Sequence, residues 1–573
     1  MKKLLRFLKN YKKECVLAPL FKMLEALFEL FVPLVMAAVI DEGVNQSDTP
    51  FIIKCAILLV ALGIIGLVCS LTAQYFSARA AVGFAAKIRH ALFSHVQDLS
   101  YSDLDSLGTS TMINRLTGDV NQVQNGVNLV LRLALRSPFV VFGAMIMAFT
   151  VDVGGALTFV VVIPLLAVVV FGIMLWTIPL FKKVQGKLDV VTRRTRENLT
   201  GVRVIRAFNQ EQAQADAFSE DTAQLLSAQV FTGRITALMN PLTMVIVNGG
   251  ILALLWSGAI KVDGGFLTTG AVIALVNYMS QILVELVKLA NLIITVTKAW
   301  ACGDRIQAVL DKPTSMPTEQ APAQDANGTV VFDNVSLTYQ GAAEETLSPF
   351  TFSVADGETV GIIGGTGSGK TSLVNLIPRL YDATCGRVLV NGCDVREQDV
   401  QVLRHSIGIV PQHAALLKGT VRSNLLWGNP NATDEQLWQA LEMAQAKSFI
   451  LEKDGGLDAT VAQGGKNFSG GQRQRLTIAR ALVRQPRILI LDDSSSALDY
   501  MTDAALHRAI NAIEPRPTTF IVSQRTASLR NADKIVVLDD GNVVAIGTHD
   551  TLLKDCDVYR EIHLSQYPEE VAE

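Results

Sequence analysis

The sequence is short of charge: only 18% of its 573 residues are Asp, Glu, Lys or Arg. It also lacks a basic excess, with 50 Lys and Arg against 53 Asp and Glu and a formal net charge of -3. A protein that grips phosphate backbones concentrates cations on one face, so no nucleic acid is expected as a partner. The seven cysteines (Cys15, Cys55, Cys69, Cys302, Cys385, Cys393 and Cys556) are scattered and form no CxxC pair. That leaves no basis for a zinc site or a disulfide framework. The amino-terminal stretch "MKKLLRFLKNYKKECVL" is basic and then apolar, but no short core with a small-residue cleavage site follows. A cleaved signal peptide is therefore not expected, and the first dozen residues read as an amphipathic helix lying on the inner leaflet of a bilayer.

What is present in quantity is apolar residue: 50% of the chain, with a mean hydropathy of +0.33. The chain is too long for one hydrophobic core, so at least two domains are expected. Long apolar segments recur near 16–40, 52–78, 128–150, 154–178, 236–260 and 269–297. Each can supply the roughly 20 residues a membrane-spanning helix needs. The region 79–127 carries Arg79, Lys87, Arg89 and Arg115, and the region 180–234 carries nine basic residues from Lys182 to Arg234. The connections "DEGVNQSDTP", "VDVGG" and "KVDGGFL" carry almost none. The positive-inside rule then places both long loops, and both termini, in the cytoplasm. Helical spacing in "VTRRTRENLTGVRVIRAFNQEQAQADAF" predicts that the fourth span runs on into the cytoplasm and turns near Gly201. A similar turned-back pair is expected over 101–125.

Ionisable residues inside apolar spans are costly and point to function by default. Glu25 and Glu29 share a face of the first span, and Asn277, Gln281, Glu285 and Lys288 form a stripe on the sixth. These six are candidate walls of a polar cavity. The structural alternative is that Glu285 and Lys288 pair with each other while Lys22 snorkels to the interface.

From 302 to 328 the sequence turns to Pro, Ala, Gln and Asp, as in a connector, and beyond it short strands and helices alternate, as in an α/β domain. "VGIIGGTGSGKTSL" follows a strand and opens a helix, the context that makes a phosphate-binding loop credible. Gly364, Gly365, Thr366, Gly367, Ser368 and Gly369 let backbone N–H groups curl around phosphates. Lys370 reaches the β- and γ-phosphates, Thr371 offers a hydroxyl to magnesium, and the helix dipole favours the anion. The strand "RILILDD" delivers Asp492 as a second magnesium holder with Asp493 beside it. "NFSGGQRQRLTIARAL" sets Ser469, Gly470 and Gly471 before a second helix N-terminus. One chain needs one cradle per nucleotide, so a second, distinct one suggests a nucleotide held by a neighbouring molecule.

At these residues the sequence resembles the ABC transporter superfamily, over nearly its whole length. The phosphate loop, "FSGGQ", "LDD" and "SALD" stand in that order behind about six spans. The arrangement is similar to a half-transporter of the exporter type. The fold class this implies is a membrane α-helical domain, six transmembrane helices with long cytoplasmic extensions, fused to an α/β P-loop nucleotide-binding domain. The implied boundaries are 1–305 for the membrane domain, 306–328 for a linker and 329–573 for the nucleotide domain, with coupling helices near 101–116 and 198–209. The resemblance further implies that Tyr339 stacks on adenine and that Gln412 reaches magnesium and links to the membrane helices. It implies that Phe468, Ser469, Gly470, Gly471 and Gln472, with Asp499, face ATP on a partner's loop.

Two positions depart from the family pattern. Asp493 stands where the catalytic Glu belongs, and Gln524 where a His contacts the γ-phosphate. The resemblance therefore implies one subunit of a heterodimeric, ATP- and Mg2+-dependent exporter in a bacterial cytoplasmic membrane. Its own site would be degenerate, and a second, different half-transporter would carry the Glu and His. Rival readings are an importer on the same fold and an ATP-gated channel or regulatory subunit. The spans exclude a soluble ATPase, and the transported substrate is not readable.

Overall fold

A computed structural model describes residues 1–316 and 329–567, which fall into two compact units. The first comprises 1–97 and 110–312 and the second 98–109 and 313–573. The expected connector 306–328 begins inside a helix that runs to Leu310, and from 317 onward it lies outside the described residues.

The first unit is helical throughout. The segment Lys2–Tyr11 is a 3-10 helix whose Leu4 is fully buried, and the Met1 ammonium lies 2.5 Å from Asp304. The long helices are α1 (Lys12–Ala38), α2 (Thr49–Asp98), and, after two short helices α3 (Tyr101–Leu107) and α4 (Thr109–Asn114), α5 (Val120–Leu133) and α6 (Arg136–Val151). They continue with α7 (Val153–Thr200), the short α8 (Val202–Ala207), α9 (Glu211–Ala237), α10 (Met239–Asp263) and α11 (Thr269–Leu310). Six stretches of these are long and apolar enough to cross a membrane, matching the six expected spans. α7 runs unbroken to Thr200, Gly201 caps it, and α9 returns beside it, as the spacing predicts. Arg194 is paired with Asp221, and Lys187 Nζ donates to Gln224 at 2.6 Å.

Only helices satisfy their own backbone in hydrocarbon, so the packing between them falls to side chains. Small residues permit close approach where it is needed. A Cβ on Gly126 of α5 would sit 2.3 Å from the Ala299 Cβ of α11. Leu30, Phe159, Leu166, Leu254 and Tyr278 fill the core of the span bundle, and the Tyr278 hydroxyl donates to the Leu30 carbonyl at 2.7 Å. Outward faces are apolar, with Ile57, Ile64, Val68 and Leu71 of α2 exposed.

Within this bundle lies a buried charge network. Arg136 of α6, 6% exposed, donates to Glu285 at 2.5 Å and to Glu29 at 2.6 Å. Glu285 also accepts from Ser137 (2.8 Å) and Lys288 (2.8 Å), and Lys22 bonds Glu25 (2.6 Å) and Ser70 (3.1 Å). The Glu285–Lys288 pairing weighed from the sequence is present. Lys22 is buried on Glu25 and does not snorkel. Glu29, Asn277, Gln281, Glu285 and Lys288 line one cavity of about 480 Å3. Glu25 lies on an adjoining one of about 560 Å3, lined also by Glu29 and Arg136.

The second unit is an α/β domain. A four-stranded sheet has the order β2 (Leu347–Val354), β1 (Val330–Leu337), β4 (Cys385–Val390), β5 (Cys393–Asp394), its pairs antiparallel. A six-stranded sheet has the order β12-β11-β3-β10-β9-β6, and a small ribbon pairs β7 (Gly419–Thr420) with β8 (Thr460–Val461). The strands of the six-stranded sheet are β3 (Thr359–Gly364), β6 (Ile407–Val410), β9 (Ile488–Asp492), β10 (Thr518–Val522), β11 (Lys534–Asp539) and β12 (Asn542–Gly547). Its pairs are parallel except β11 with β12. β3, β9 and β10 are buried along their whole length, as near-continuous apolar strands of a doubly covered parallel sheet must be. The α3 helix belongs to this unit, with Asp103 bonded to Ser100 (2.7 Å) and to the Ser315 N–H (2.9 Å).

Removing one partner of a buried ion pair strands the other in a low-dielectric interior. Arg136→Met is therefore expected to cost about 3–5 kcal/mol, read as a lower thermal-unfolding midpoint in detergent. Adding Glu285→Gln to that variant is expected to restore part of the loss, because the abandoned carboxylate is then gone.

Candidate functional site

The phosphate loop is built by close approach of backbone to backbone. β3 ends at Gly364, where a Cβ would lie 2.1 Å from the Leu538 carbonyl oxygen of β11. Gly369 takes a φ of 91°, and a Cβ there would meet Leu347 at 2.6 Å. Glycine is the residue that fits both demands. At Gly365 and Gly367 a Cβ would meet nothing within 4 Å, so the mouth of the loop is open. The helix Lys370–Leu376 follows directly, with its N–H groups at that mouth.

Lys370 folds over this loop, donating to the carbonyls of Gly365 (2.5 Å) and Gly364 (3.0 Å). Burial holds its pKa below the usual lysine value, while Asp493 and Asp492 oppose that shift. Thr371 Oγ1 donates to Asp492 Oδ1 at 2.9 Å. Asp492 is the last residue of β9 and 4% exposed. Burial first, and Asp493 beside it, push its carboxyl above the usual carboxylate range. Gln412 Nε2 reaches Asp493 Oδ2 at 3.4 Å. Asp493 sits at φ 47°, a left-handed conformation that Asp tolerates better than most residues. Ser368 Oγ donates back to the Gly365 carbonyl at 3.0 Å, and Thr366 is exposed at the loop's crest. The structure thus gathers Gly364–Thr371, Gln412, Asp492 and Asp493 at one edge of the sheet, and Tyr339 is tied to them through Ser372 (2.9 Å). Gln524 lies just beyond β10 with an exposed side chain.

The donor set fits a nucleotide with a hard cation. An open loop of backbone N–H groups, a lysine and a helix N-terminus suit phosphate, and adjacent hydroxyl and carboxylate oxygens suit magnesium.

A second cluster forms around Ser469. Its Oγ accepts from the Gln472 N–H (3.3 Å), and its own N–H donates to Gln472 Oε1 (3.0 Å), a capping box that starts the helix Gly470–Val483. Gly471 lies against the Ala497 carbonyl, where a Cβ would come within 2.9 Å. Asp499 caps the helix Tyr500–Asn511, and its bond from Thr502, with Arg475 nearby, keeps its carboxyl below the usual range. Ser469 and Gly470 are exposed. Phe468 is not: its ring is buried edge-on against Phe449 with the Lys453 ammonium 4.8 Å over its face, so it serves the core under the helix N-terminus.

The sequence reading missed Arg136, Ser372, Tyr381 and Asp105. Arg136 was legible as a charge within the apolar stretch 128–150. Tyr381, in "LYDATCG" after the loop helix, carries no signal of its own. Its ring meets Tyr339 at 5.0 Å, and its hydroxyl donates to Asp105 at 2.7 Å.

These features define a membrane-spanning helical domain joined to an ATP-binding cassette. Residues 15–286 match the family model of the ABC transporter transmembrane region, and residues 347–496 match that of the ABC transporter. An uncharacterized ABC transporter ATP-binding protein of Mycobacterium tuberculosis is 36% identical over 567 residues, 98% of this chain and 97% of its own. The putative multidrug export ATP-binding/permease protein YgaD of Bacillus subtilis is 30% identical over 99% of both chains. The structure of a bacterial Atm1-family ABC exporter with ATP bound superposes with a TM-score of 0.83, at 23% identity over 98% of this chain and 99% of that one. The chain belongs to the ABC transporter family. It is a multi-pass membrane protein with an exporter-type fold, and its ATPase domain couples to transport.

The loop glycines separate folding from binding. Gly365→Val is expected to leave the unfolding midpoint within about 1 °C yet weaken ATP binding by at least about tenfold, by filling the cradle that phosphate would occupy. Gly364→Val is expected to destabilise the domain outright, since its Cβ meets backbone. Thermal melts beside nucleotide-binding titrations of both variants check this.

Proposed function

We propose that the chain is one subunit of a heterodimeric, ATP-driven exporter of the bacterial cytoplasmic membrane, with both termini in the cytoplasm. Its own loop site holds ATP and turns it over slowly. The observation that carries this is Asp493 directly after β9, where a longer Glu would polarise water. Asp lacks one methylene, which leaves its carboxylate on the order of 1.5 Å short; a misplacement of about 1 Å can cost ~100-fold in rate. Gln524, in place of His, donates a hydrogen bond but cannot become cationic, so it offers less to developing charge.

In this reading Tyr339 stacks on adenine and the Gly364–Gly369 backbone with Lys370 cradles the phosphates. Thr371, Asp492 and Gln412 hold magnesium, which when bound neutralises phosphate charge. Ser469–Gln472 and Asp499 face the partner's ATP and complete a competent site there. Closure of the two nucleotide domains is passed to the membrane helices through the short helices near 101–116 and 198–209 and opens the cavity outward. The loop site then works as a clasp and the partner's as the motor. The charge-lined cavity of Glu29, Asn277, Gln281, Glu285 and Lys288 supports an amphipathic cargo, in keeping with a relative named for multidrug export.

The purified chain alone is expected to hydrolyse ATP very weakly and to show clear turnover with its partner. Robust ATPase from the lone chain would remove the degenerate-site reading. In the pair, Asp493→Glu with Gln524→His is expected to raise hydrolysis at this site only in part, and trapped-nucleotide counting on each subunit reads that. If the double variant changes neither occupancy nor turnover, the two substitutions are incidental.

A further inference from the structure

The link proposed above between nucleotide and membrane helices runs through Gln412, at the phosphate end of the site. A second line of contacts leaves the opposite end. Tyr339 is held by a hydrogen bond from its hydroxyl to Ser372 Oγ (2.9 Å), in the first turn of the loop helix. Its ring stands edge-on to Tyr381, with centroids 5.0 Å apart and planes at 84°. Tyr381 in turn donates from its hydroxyl to Asp105 Oδ2 at 2.7 Å and lies 6.2 Å from the ring of Tyr101. Tyr101 and Asp105 are both on α3.

The middle of this line is rigid. Tyr381 sits on the turn that follows the helix Lys370–Leu376. The guanidinium of Arg379, 2% exposed, bonds Asp382 (2.8 Å) and the Arg396 carbonyl (3.2 Å). Arg404 adds bonds to the carbonyls of Pro378 (3.0 Å) and Arg379 (2.7 Å). A displacement of the Tyr339 ring is therefore not absorbed by a soft turn. At the far end, α3 is fixed by its Ser100 cap (3.1 Å to the Asp103 N–H) and by the bonds of Asp103 to Ser315 (2.9 and 3.0 Å). Its two ends continue along the chain into α2 and α4.

We infer that Tyr381 is a positioning residue that carries occupancy of the base position from Tyr339 to α3 through its hydrogen bond to Asp105. The inference rests on the reading above that Tyr339 stacks on adenine. It differs from the Gln412 route in what it senses: the presence of the base, independent of whether the γ-phosphate has been cleaved. A site that holds ATP without turning it over has a use for such a signal, because its bound state must be registered without a chemical step.

The test is amide hydrogen exchange of the full-length chain in detergent, with and without saturating Mg-ATP. ATP is expected to slow exchange in both 365–376 and 101–107, by about fivefold or more in the latter. Tyr381→Phe keeps the ring and removes only the hydroxyl. It is expected to leave ATP affinity and the protection of 365–376 unchanged while most of the protection of 101–107 is lost. Asp105→Leu is expected to do the same, and Asp105→Asn, which still offers an acceptor oxygen, to behave as the parent. Inorganic tripolyphosphate, which has no base, is expected to protect 365–376 alone. Undiminished protection of 101–107 in Tyr381→Phe, or equal protection by tripolyphosphate, overturns the inference while leaving the nucleotide site intact. ATP that protects neither segment overturns the nucleotide reading itself, and the inference with it.

Discussion

The parallel register of β3, β10 and β9 is the constraint on which the rest of the site depends. Val522 of β10 pairs with Ile362 of β3 on one side and with Asp492 of β9 on the other. Because the three strands run the same way, the loop after β3, the acidic pair at the end of β9 (Asp492 its last residue, Asp493 the next) and Gln524 after β10 all emerge at one edge. Open α/β sheets bind ligands at the carboxyl ends of their strands for this reason. The 2.9 Å bond between Thr371 and Asp492 joins residues 121 positions apart, and it is a consequence of that register. Within the membrane unit the comparable constraint is Arg136, which holds carboxylates of α1 and α11 to α6.

The Gly364–Thr371 loop and the start of the Ser469 helix are held in different ways. The Gly364–Thr371 loop is shaped by what surrounds it: carbonyls of neighbouring strands leave no room for a Cβ at Gly364. The Ser469 end is shaped from within, by a capping box that occupies both the Ser469 hydroxyl and the Gln472 amide oxygen. The first is a preformed cradle. The second uses the Ser469 and Gln472 side-chain oxygens as acceptors, and its box leaves the Ser469 hydroxyl proton and the Gln472 side-chain NH2 as donors.

Much of this was legible in the sequence, for reasons that differ between the halves. The six spans could be read because a bilayer imposes a length and a composition, and the turn near Gly201 because a glycine interrupts a stretch of helical spacing that continues on both sides of it. The loop at Gly364–Thr371 and the strand before Asp492 could be read because phosphate chemistry restricts which residues can serve. What stayed hidden was pairing across the chain. Glu285 and Lys288, three positions apart, were an evident pair, but the Arg136–Glu285 bond spans 149 positions and the Tyr381–Asp105 bond 276. Neither leaves a periodic trace. Phe468 shows the limit of motif reading from the other side: it sits inside a recognisable string of residues, yet its ring belongs to the core.

The length of α7 has a mechanical consequence. It is one continuous helix of 48 residues, so at 1.5 Å per residue it is about 70 Å long. About 22 of those residues lie beyond the apolar span, an arm of about 33 Å that α9 braces through Lys187 and Arg194. A tilt of about 10° at the edge of the span would move the tip of that arm by about 6 Å, roughly one turn of helix. The same geometry runs in reverse. A displacement of one helical turn at the tip arrives in the membrane as a small rotation, so the helix trades distance for leverage, and a large swing at Gly201 becomes a slight, forceful reorientation among tightly packed spans.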